Sequence, residues 1–383
     1  MKKDVEAHIN GKVLKWAREQ INVSISDVVS KLKSKRITDD LLISWEEGKS
    51  FPSVSILKKL AELYKFKFTI FYLPEVPKKI KPIRNFRRLS FANPGNLVFL
   101  IRDLQSKQGW LSEYFIKKSL PINRFVGINH IDSSIDSVIK SLNNIGLKPS
   151  NYWAKKPDNM LKDFINIIEK NNIFISMTSG INNVNTIDVC DARGFAISDK
   201  YTPFIFINSK DDIKARIFTL VHELLHVIFN KQDILDIPND REEIICNKIT
   251  AEFLLPKQIF EDKWKLYKQT DDINEVLNKL SKFFNSSLIF TLIRARKLDL
   301  LSNNDFERIR SNLEKSKKIT KTKETSFGNY FSSQAKRNSK QFSRYVLKAF
   351  EDKDIRFTDV YNLIHVKYDK LDKYIEQGKI YQE

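Results

Sequence analysis

The chain has 383 residues, more than one hydrophobic core of usual size accommodates, and it carries a formal net charge of +19 at pH 7. No apolar run reaches the roughly 18 residues of a transmembrane helix, and the N-terminal stretch lacks the apolar centre of a signal peptide. Two cysteines, Cys190 and Cys246, are too few for a disulfide framework. These features predict a multidomain protein of the reducing cytoplasm without a membrane partner.

The positive charge has two interpretations. It favours acidic partners, above all nucleic acid. It also fits an organism whose proteins are generally rich in lysine, so charge alone does not establish DNA binding.

The first 75 residues are predicted to form short helices, because apolar residues recur at steps of three and four. The helical segments are KVLKWAREQ, SISDVVSKLKSK, DDLLISWEEGK and VSILKKLAELYKF. Gly48 and Pro52 separate the last two. Residues 76–95 contain prolines among basic residues, which predicts an extended linker.

The remainder of the chain is mainly helical, with a short β-rich stretch after residue 170. Helical periodicity covers LVFLIRDLQSKQGWLSEYFIKKSL, MLKDFINIIEKNN, DIKARIFTLVHELLHVIFN and EEIICNKITAEFLLP. The segments IFISMTS, ARGFAISD and PFIFINS are predicted strands. Residues 301–383 form a basic, helical C-terminal region, whose segment 314–344 is either a solvated linker or a nucleic-acid contact.

Three ionisable residues lie within the apolar segment FTLVHELLHVIFN. His222 and His226 are four residues apart, so a helix places both imidazoles on one face, as two ligands of one Zn²⁺ require. Glu223 is adjacent and can act as a general base on a metal-bound water without ligating the metal. A buried helix with two hydrogen-bonded histidines is the alternative, but burying these groups without partners would cost several kcal/mol.

A catalytic zinc site needs a third protein ligand, and REEIICNKITAEFLLP is the nearest source. Glu243 is the preferred candidate, and Glu242 and Glu252 are the alternatives. Asn247 follows Glu243 by four residues and is predicted to hydrogen-bond a ligating imidazole.

These two segments together resemble the ImmA/IrrE family of zinc metallopeptidases. The family pattern is a strand ending in Asn, an Arg, and a helix with F-T-L-x-H-E-x-x-H, which FIFINSKDDIKARIFTLVHELLH matches with Asn208 and Arg216. A second helix with E-x-x-A-N-x-F-A-A-x-x-L-x-P is matched by EIICNKITAEFLLP, with departures at Cys246, Ile249 and Thr250. The resemblance implies His222, His226 and Glu243 as zinc ligands and Glu223 as the general base.

The N-terminal residues resemble a helix-turn-helix of the Cro/repressor type, on the match of WEEGKSFPS to W-E-x-G-x-x-x-P. The expected recognition helix carries four carboxylates, those of Asp39, Asp40, Glu46 and Glu47, which would repel phosphates. Flanking basic residues, namely Lys33, Lys35, Arg36 and Lys49, are the predicted DNA contacts. The module therefore either binds DNA weakly or binds a protein.

Together these observations predict a mainly α, multidomain fold. The domains are a helix-turn-helix module (1–75), a linker (76–95), a zincin-like metallopeptidase domain with a small sheet (96–300, core 160–260) and a basic helical region (301–383). The resemblance implies a zinc-dependent endopeptidase that cleaves a repressor or antitoxin and so regulates mobile-element, stress or defence genes.

Two further points remain open on the sequence alone. The strand PFIFIN is predicted to be an exposed edge that aligns a substrate by strand addition. The competing function is a non-catalytic helix-turn-helix regulator or antitoxin with a structural metal site, which would need four protein ligands. Substrate identity, activating signal and oligomeric state cannot be predicted.

Overall fold

The computed structural model describes residues 5–20, 23–32, 37–64, 66, 68–77, 94–180, 186–230, 240–269, 272–319 and 329–382. The predicted linker is outside the described residues from 78 to 93, as are the predicted DNA contacts Lys33, Lys35 and Arg36. Close contacts divide the chain into two units. The first unit comprises Met1–Gln105, Gly180–Ala192 and Asp233–Ile237, and the second comprises the remainder.

Among the described residues, four helices lie wholly within the first unit, in agreement with the helical periodicity of the sequence. They are α1 (Gly11–Gln20), α2 (Ile25–Leu32), α3 (Asp39–Glu46) and α4 (Val54–Tyr64). A 3₁₀ turn at Phe68–Tyr72 follows α4. Their apolar faces meet in one core that includes Leu14, Leu42, Trp45 and Leu57. Thr38 caps α3 by accepting a hydrogen bond from the backbone N–H of Leu41 at 3.3 Å.

Glu46 does not contribute to the acidic surface that the sequence predicts for α3. Its side chain is 4% exposed and accepts two hydrogen bonds from the Arg18 guanidinium, at 2.6 Å and 2.8 Å. This bidentate pair satisfies both charges within the core, where an unpaired carboxylate would be costly. Asp39 and Asp40 remain exposed at the start of α3. The exposed acidity of this helix is therefore smaller than its composition indicates.

The second unit combines a three-stranded sheet with helices around it. Its helices, of which the first begins within the first unit, are α5 (Pro94–Lys117), α6 (Ile135–Ile145), α7 (Pro157–Lys170), α8 (Ile213–Ile228), α9 (Asp240–Leu254), α10 (Lys257–Lys268), α11 (Ile273–Phe283), α12 (Leu288–Lys297), α13 (Asn303–Ile319), α14 (Tyr330–Asn338), α15 (Lys340–Glu351), α16 (Phe357–Ile364) and α17 (Leu371–Gln377). The strands are β1 (Phe174–Thr178), β2 (Gly194–Ile197) and β3 (Phe204–Asn208). The chain is thus mainly helical, as predicted. None of the helices in the described part of the chain combines the length and apolarity needed to cross a membrane.

The prediction that PFIFIN forms an exposed edge strand is wrong. The strand order is β1-β3-β2, so β3 is central and pairs with β1 in parallel and with β2 antiparallel. All five β3 residues are buried. A continuous apolar run such as FIFIN is typical of a strand covered on both faces, whereas a half-exposed edge strand alternates polar and apolar residues. Strands β1 and β2 are therefore the two edges, and each pairs only with β3 among the described strands.

Helices cover both faces of this sheet. Ile175, Ile205 and Ile207 belong to the same core as the apolar residues of α8. On the other side, Phe174 contacts Tyr345 and Phe204 contacts Phe342, with ring centroids 6.1 Å and 5.7 Å apart. The C-terminal helices therefore form a layer of the second unit. Of the segment proposed as a nucleic-acid contact, residues 320–328 lie outside the described residues.

A buried carboxylate links α7, β1 and the start of α15. Glu169 accepts hydrogen bonds from the backbone N–H groups of Ile175 and Gln341, each at 3.4 Å. Burial raises the pKa of Glu169 to about 6 from its ordinary value of 4.5. Because the folded-state pKa is the higher one, protonation of Glu169 stabilises the fold. That contribution is complete below pH 4.5 and is lost as the pH rises through 6.

We therefore expect Glu169 to lower the free energy of unfolding by about 2 kcal/mol when the pH rises from below 4.5 to above 6. The measurement is chemical unfolding of the wild type and of Glu169→Gln at a series of pH values. The glutamine cannot titrate, so the difference between the two proteins isolates this carboxyl group. A difference that stays constant across the series would show that Glu169 does not titrate in this window.

Candidate metal centre

Helix α8 places two imidazoles one turn apart at its inner face. His222 and His226 both have low exposure, with side chains 11% and 19% exposed. Their Nε2 atoms lie 3.2 Å apart. The remaining residues of the segment, including Leu224, Leu225 and Val227, are buried in the core and fix the helix against the sheet. The four-residue spacing thus produces the shared face that the sequence predicts.

Helix α9 supplies the third polar group. The two carboxylate oxygens of Glu243 lie 3.2 Å from His222 Nε2 and 3.3 Å from His226 Nε2. The three residues form a group whose ligand atoms all lie within 4.8 Å of one another. Within the described residues, no further His, Cys, Asp or Glu joins this group. The structure therefore brings together two nitrogens and one carboxylate from two neighbouring helices.

The spacing of these donors fits a tetrahedral zinc ion. Ligands about 2.0 Å from a tetrahedral centre lie about 3.3 Å from one another. The two Nε2 atoms are 3.2 Å apart, and a different Glu243 oxygen lies 3.2 Å or 3.3 Å from each of them. Two imidazoles and one carboxylate are a ligand set that catalytic zinc sites use, with the fourth position left for water. The Nδ1 atom of His222 is buried without a hydrogen-bond partner among the described residues. The donor set and its geometry suit zinc.

The charges of the three groups are strongly coupled. Hydrogen bonds from His222 and His226 hold the pKa of Glu243 far below its ordinary value, so this carboxylate is ionised. Burial lowers the pKa of His226, but the hydrogen bond to Glu243 and the nearby charge of Glu223 outweigh burial and raise it. An ionised carboxylate facing two imidazole nitrogens is an electrostatic environment that attracts a cation.

Glu223 lies beside the three donors and differs from Glu243 in its surroundings. It is buried, with 8% of its surface exposed. Burial raises its pKa, and the charge of Glu243 acts in the same direction, while His222 and His226 oppose the shift. A raised pKa makes a carboxylate a better proton acceptor near neutral pH. Glu223 therefore has the properties of a general base, and its assignment as one remains a prediction.

A glycine of the edge strand allows β2 to approach α8 closely at Glu223. A Cβ atom at Gly194 would lie 2.5 Å from Thr219 Cγ2, 2.9 Å from the Phe206 carbonyl oxygen and 3.1 Å from Glu223 Cγ. Only a residue without a side chain fits between the sheet and the helix here. The segment ARGFAISD was predicted to form a strand, but this role of Gly194 was not predicted. A lone glycine inside a predicted strand was the available signal.

Gly194→Ala is expected to displace Glu223 or separate β2 from α8. We predict that the free energy of unfolding falls by about 1–3 kcal/mol and that catalysis falls roughly a hundredfold. Zinc content should be retained, because none of the three atoms nearest to the added Cβ belongs to His222, His226 or Glu243. Gly109→Ala is the matched control, since an added Cβ there meets nothing within 4 Å. If Gly194→Ala and Gly109→Ala had the same free energy of unfolding and the same catalytic rate, the close approach of β2 to α8 would be contradicted.

An aromatic pair borders the donors. Phe218 precedes His222 by four residues on the same face of α8, and the two ring centroids are 6.0 Å apart. Phe290 of α12 contacts Phe218 edge to face at 4.8 Å. Both phenylalanines are only partly buried. The two rings make one side of the site apolar. The spacing of His222, Glu223 and His226 did not predict this feature.

The other predicted site residues have different surroundings. Glu242 does not belong to the group of three donors. Glu252 pairs with Arg294 and accepts a hydrogen bond from the backbone N–H of Lys257 at 2.9 Å, so its carboxylate is engaged elsewhere.

Asn247 is exposed on α9, and its predicted hydrogen bond to an imidazole remains a prediction. Lys49, the described member of the predicted DNA contacts, is exposed and pairs with Glu47 at 2.6 Å.

Residues 184–296 match a family model that contains both helices of this centre. The model is that of peptidase M78, the IrrE N-terminal-like domain. The match spans β2, β3 and the helices from α8 to α11, together with most of α12. It supports the resemblance to the ImmA/IrrE family and a metallopeptidase-like domain, with a metal cofactor and a protein substrate in general terms. No curated protein matches the chain. The N-terminal helices lie outside the matched residues.

Proposed function

We propose that this protein is a zinc-dependent endopeptidase, joined to an N-terminal helix-turn-helix module, that cleaves a transcriptional repressor or antitoxin. The observation that carries the proposal is the convergence of His222, His226 and Glu243 beside the buried Glu223. The family match over residues 184–296 supports the same chemistry independently of the geometry.

The residues have distinct tasks in this proposal. The two imidazoles and the Glu243 carboxylate would hold the ion. A zinc ion held there would supply Lewis-acid chemistry and would lower the pKa of a water molecule towards neutrality. Glu223 accepts a proton from the attacking water and transfers it to the leaving amine. The raised pKa of Glu223 suits both transfers, because the group must gain and lose a proton in each cycle.

The edge strand β2 is the surface on which a substrate backbone is proposed to align. It pairs with β3 on one side, and no described strand pairs with its other side. A substrate in extended conformation can add to such an edge through backbone hydrogen bonds. Gly194 at the start of β2 lies against Glu223, so a peptide bound there would pass the general base. Strand addition at β2 thus replaces the strand addition that was predicted for PFIFIN, the segment that forms β3.

The assignment of a repressor or antitoxin as substrate rests on the family resemblance and on the proposed helix-turn-helix. The predicted DNA contacts of that module are Lys33, Lys35, Arg36 and Lys49. A purely structural metal site is not favoured, because such a site needs a fourth protein ligand and the described residues offer none within the group.

Metal removal tests the proposal. The purified full chain is incubated with repressor-like proteins encoded beside its own gene, and products are identified by mass spectrometry. We expect cleavage at one site, loss of cleavage after chelation, and recovery on adding zinc. Cleavage that is insensitive to chelation would refute the metallopeptidase. Zinc-dependent cleavage of an unrelated protein, with the repressors left intact, would refute the substrate class alone.

A further inference from the structure

The second unit contains a cavity that shares no residue with the candidate metal centre. Its volume is about 380 Å³, and it lies among α7, the residues just before α7 and the start of α15. Four basic and two acidic side chains line it, namely Lys162, Lys170, Lys340, Arg344, Asp163 and Glu169. Cavities of this size commonly hold small molecules.

The two acidic groups do not balance the basic ones. Asp163 accepts a hydrogen bond from the Tyr152 hydroxyl at 3.1 Å, which occupies one of its oxygens. Glu169 accepts from two backbone N–H groups. Four cationic side chains against two carboxylates give the lining of the cavity a net positive charge.

Lys340 has the least favourable surroundings of the four basic residues. Its side chain is partly buried, and no described residue forms a hydrogen bond or close ion pair with its ammonium group. Burial lowers its pKa, and the charges of Arg344, Lys162 and Lys336 lower it further against the opposing effect of Glu169. An anion in the cavity would relieve this repulsion.

Arg344 is held in a fixed orientation at the cavity. Its Nε donates to the Ile380 carbonyl oxygen at 2.6 Å, and its Nη1 donates to Gln341 Oε1 at 3.1 Å. These bonds leave Nη2 without a partner among the described residues. A guanidinium held in this way can donate to an anion without losing much conformational freedom.

We propose that this cavity binds a small phosphorylated molecule of about mononucleotide size. A phosphate group offers several oxygens to Lys162, Lys340 and Arg344 at once, which a single carboxylate does not. The concave shape favours a compact ligand over a nucleic-acid strand, which tracks along an extended groove. This site is independent of the proposed peptidase activity.

Binding is tested by calorimetry on the zinc-loaded full chain at fixed ionic strength. The probes are inorganic phosphate, pyrophosphate, adenosine monophosphate and a short single-stranded oligonucleotide. The variant is Lys162→Gln combined with Lys340→Gln, and the matched control is Lys265→Gln, which changes an exposed lysine of α10 outside the cavity. Thermal unfolding without ligand verifies that each variant folds.

We expect at least one of the three small phosphate probes to bind the wild type and the control alike. The double variant should bind about tenfold or more weakly. Failure of all three small probes, or unchanged affinity in a folded double variant, would overturn the proposal. Tighter binding of the oligonucleotide through the same two lysines would assign the cavity to nucleic acid and would also overturn it. The outcome is read from binding alone, so it does not depend on whether a peptide is cleaved.

Discussion

Glu223→Gln is expected to abolish peptide cleavage while the protein retains its zinc. Glutamine preserves the size of the side chain and its place between α8 and β2, but it cannot accept a proton from water. General-base catalysis contributes roughly 10² to 10⁴ in rate, so a fall of at least about a hundredfold is expected. The measurement pairs a cleavage assay with metal analysis of the same preparation.

Glu242→Gln is the matched control for this prediction. Glu242 is a partly buried glutamate next to Glu243 in the chain, and it does not belong to the group of three donors. Its substitution should leave both cleavage and zinc content close to those of the wild type. If Glu223→Gln cleaved at the wild-type rate, another group would have to be the base. If it lost zinc as well, Glu223 would be shown to support the metal site.

Glu243→Gln is expected to remove the metal. The carboxylate provides the negative charge that faces both Nε2 atoms, and a neutral amide at the same place is a much poorer zinc ligand. We expect zinc after dialysis to fall from about one ion per chain to near zero, with affinity weakened by more than the roughly tenfold to hundredfold typical of losing an outer-shell partner. Elemental analysis and a competitive chelator titration measure the two quantities.

His130→Ala serves here as a second control. His130 is an exposed histidine, with its side chain 81% exposed, so its loss should not change zinc content. His222→Ala should lose zinc, as Glu243→Gln is expected to do. Full zinc content in Glu243→Gln together with loss of zinc in Glu242→Gln would assign the third ligand to the neighbouring residue. This pair of variants therefore decides between two candidates that the sequence left open.

The sequence predicted the elements of the site better than it predicted their arrangement. Residues four apart on a helix share a face whatever surrounds them, so the pairing of His222 with His226 followed from spacing alone. The proximity of Glu243 depended on how α9 packs against α8, and the family resemblance supplied what helical periodicity could not. Strands β1 to β3 were located correctly because runs of β-branched and aromatic residues between turns are a local signal.

The features that were predicted wrongly or not predicted at all depend on contacts between residues distant in sequence. The sheet order decides which strands are the edges, and nothing local to FIFIN reveals that β1 and β2 flank it. The burial of Glu46 depends on Arg18, which lies 28 residues earlier. The requirement for glycine at Gly194 arises from a helix that follows it in the chain. Such pairings require the fold to be known.

The aromatic contacts between the sheet and α15 set a lower limit on the length of a stably folded fragment. Residues 184–296 bound the family match, yet Phe174 lies before that range and its partner Tyr345 lies after it. A recombinant protein trimmed to the matched range would leave Phe204 of the central strand without the ring of Phe342. The hydrophobic surface exposed in this way would favour aggregation, so the domain that holds the candidate metal centre and the C-terminal helices have to be produced as one polypeptide.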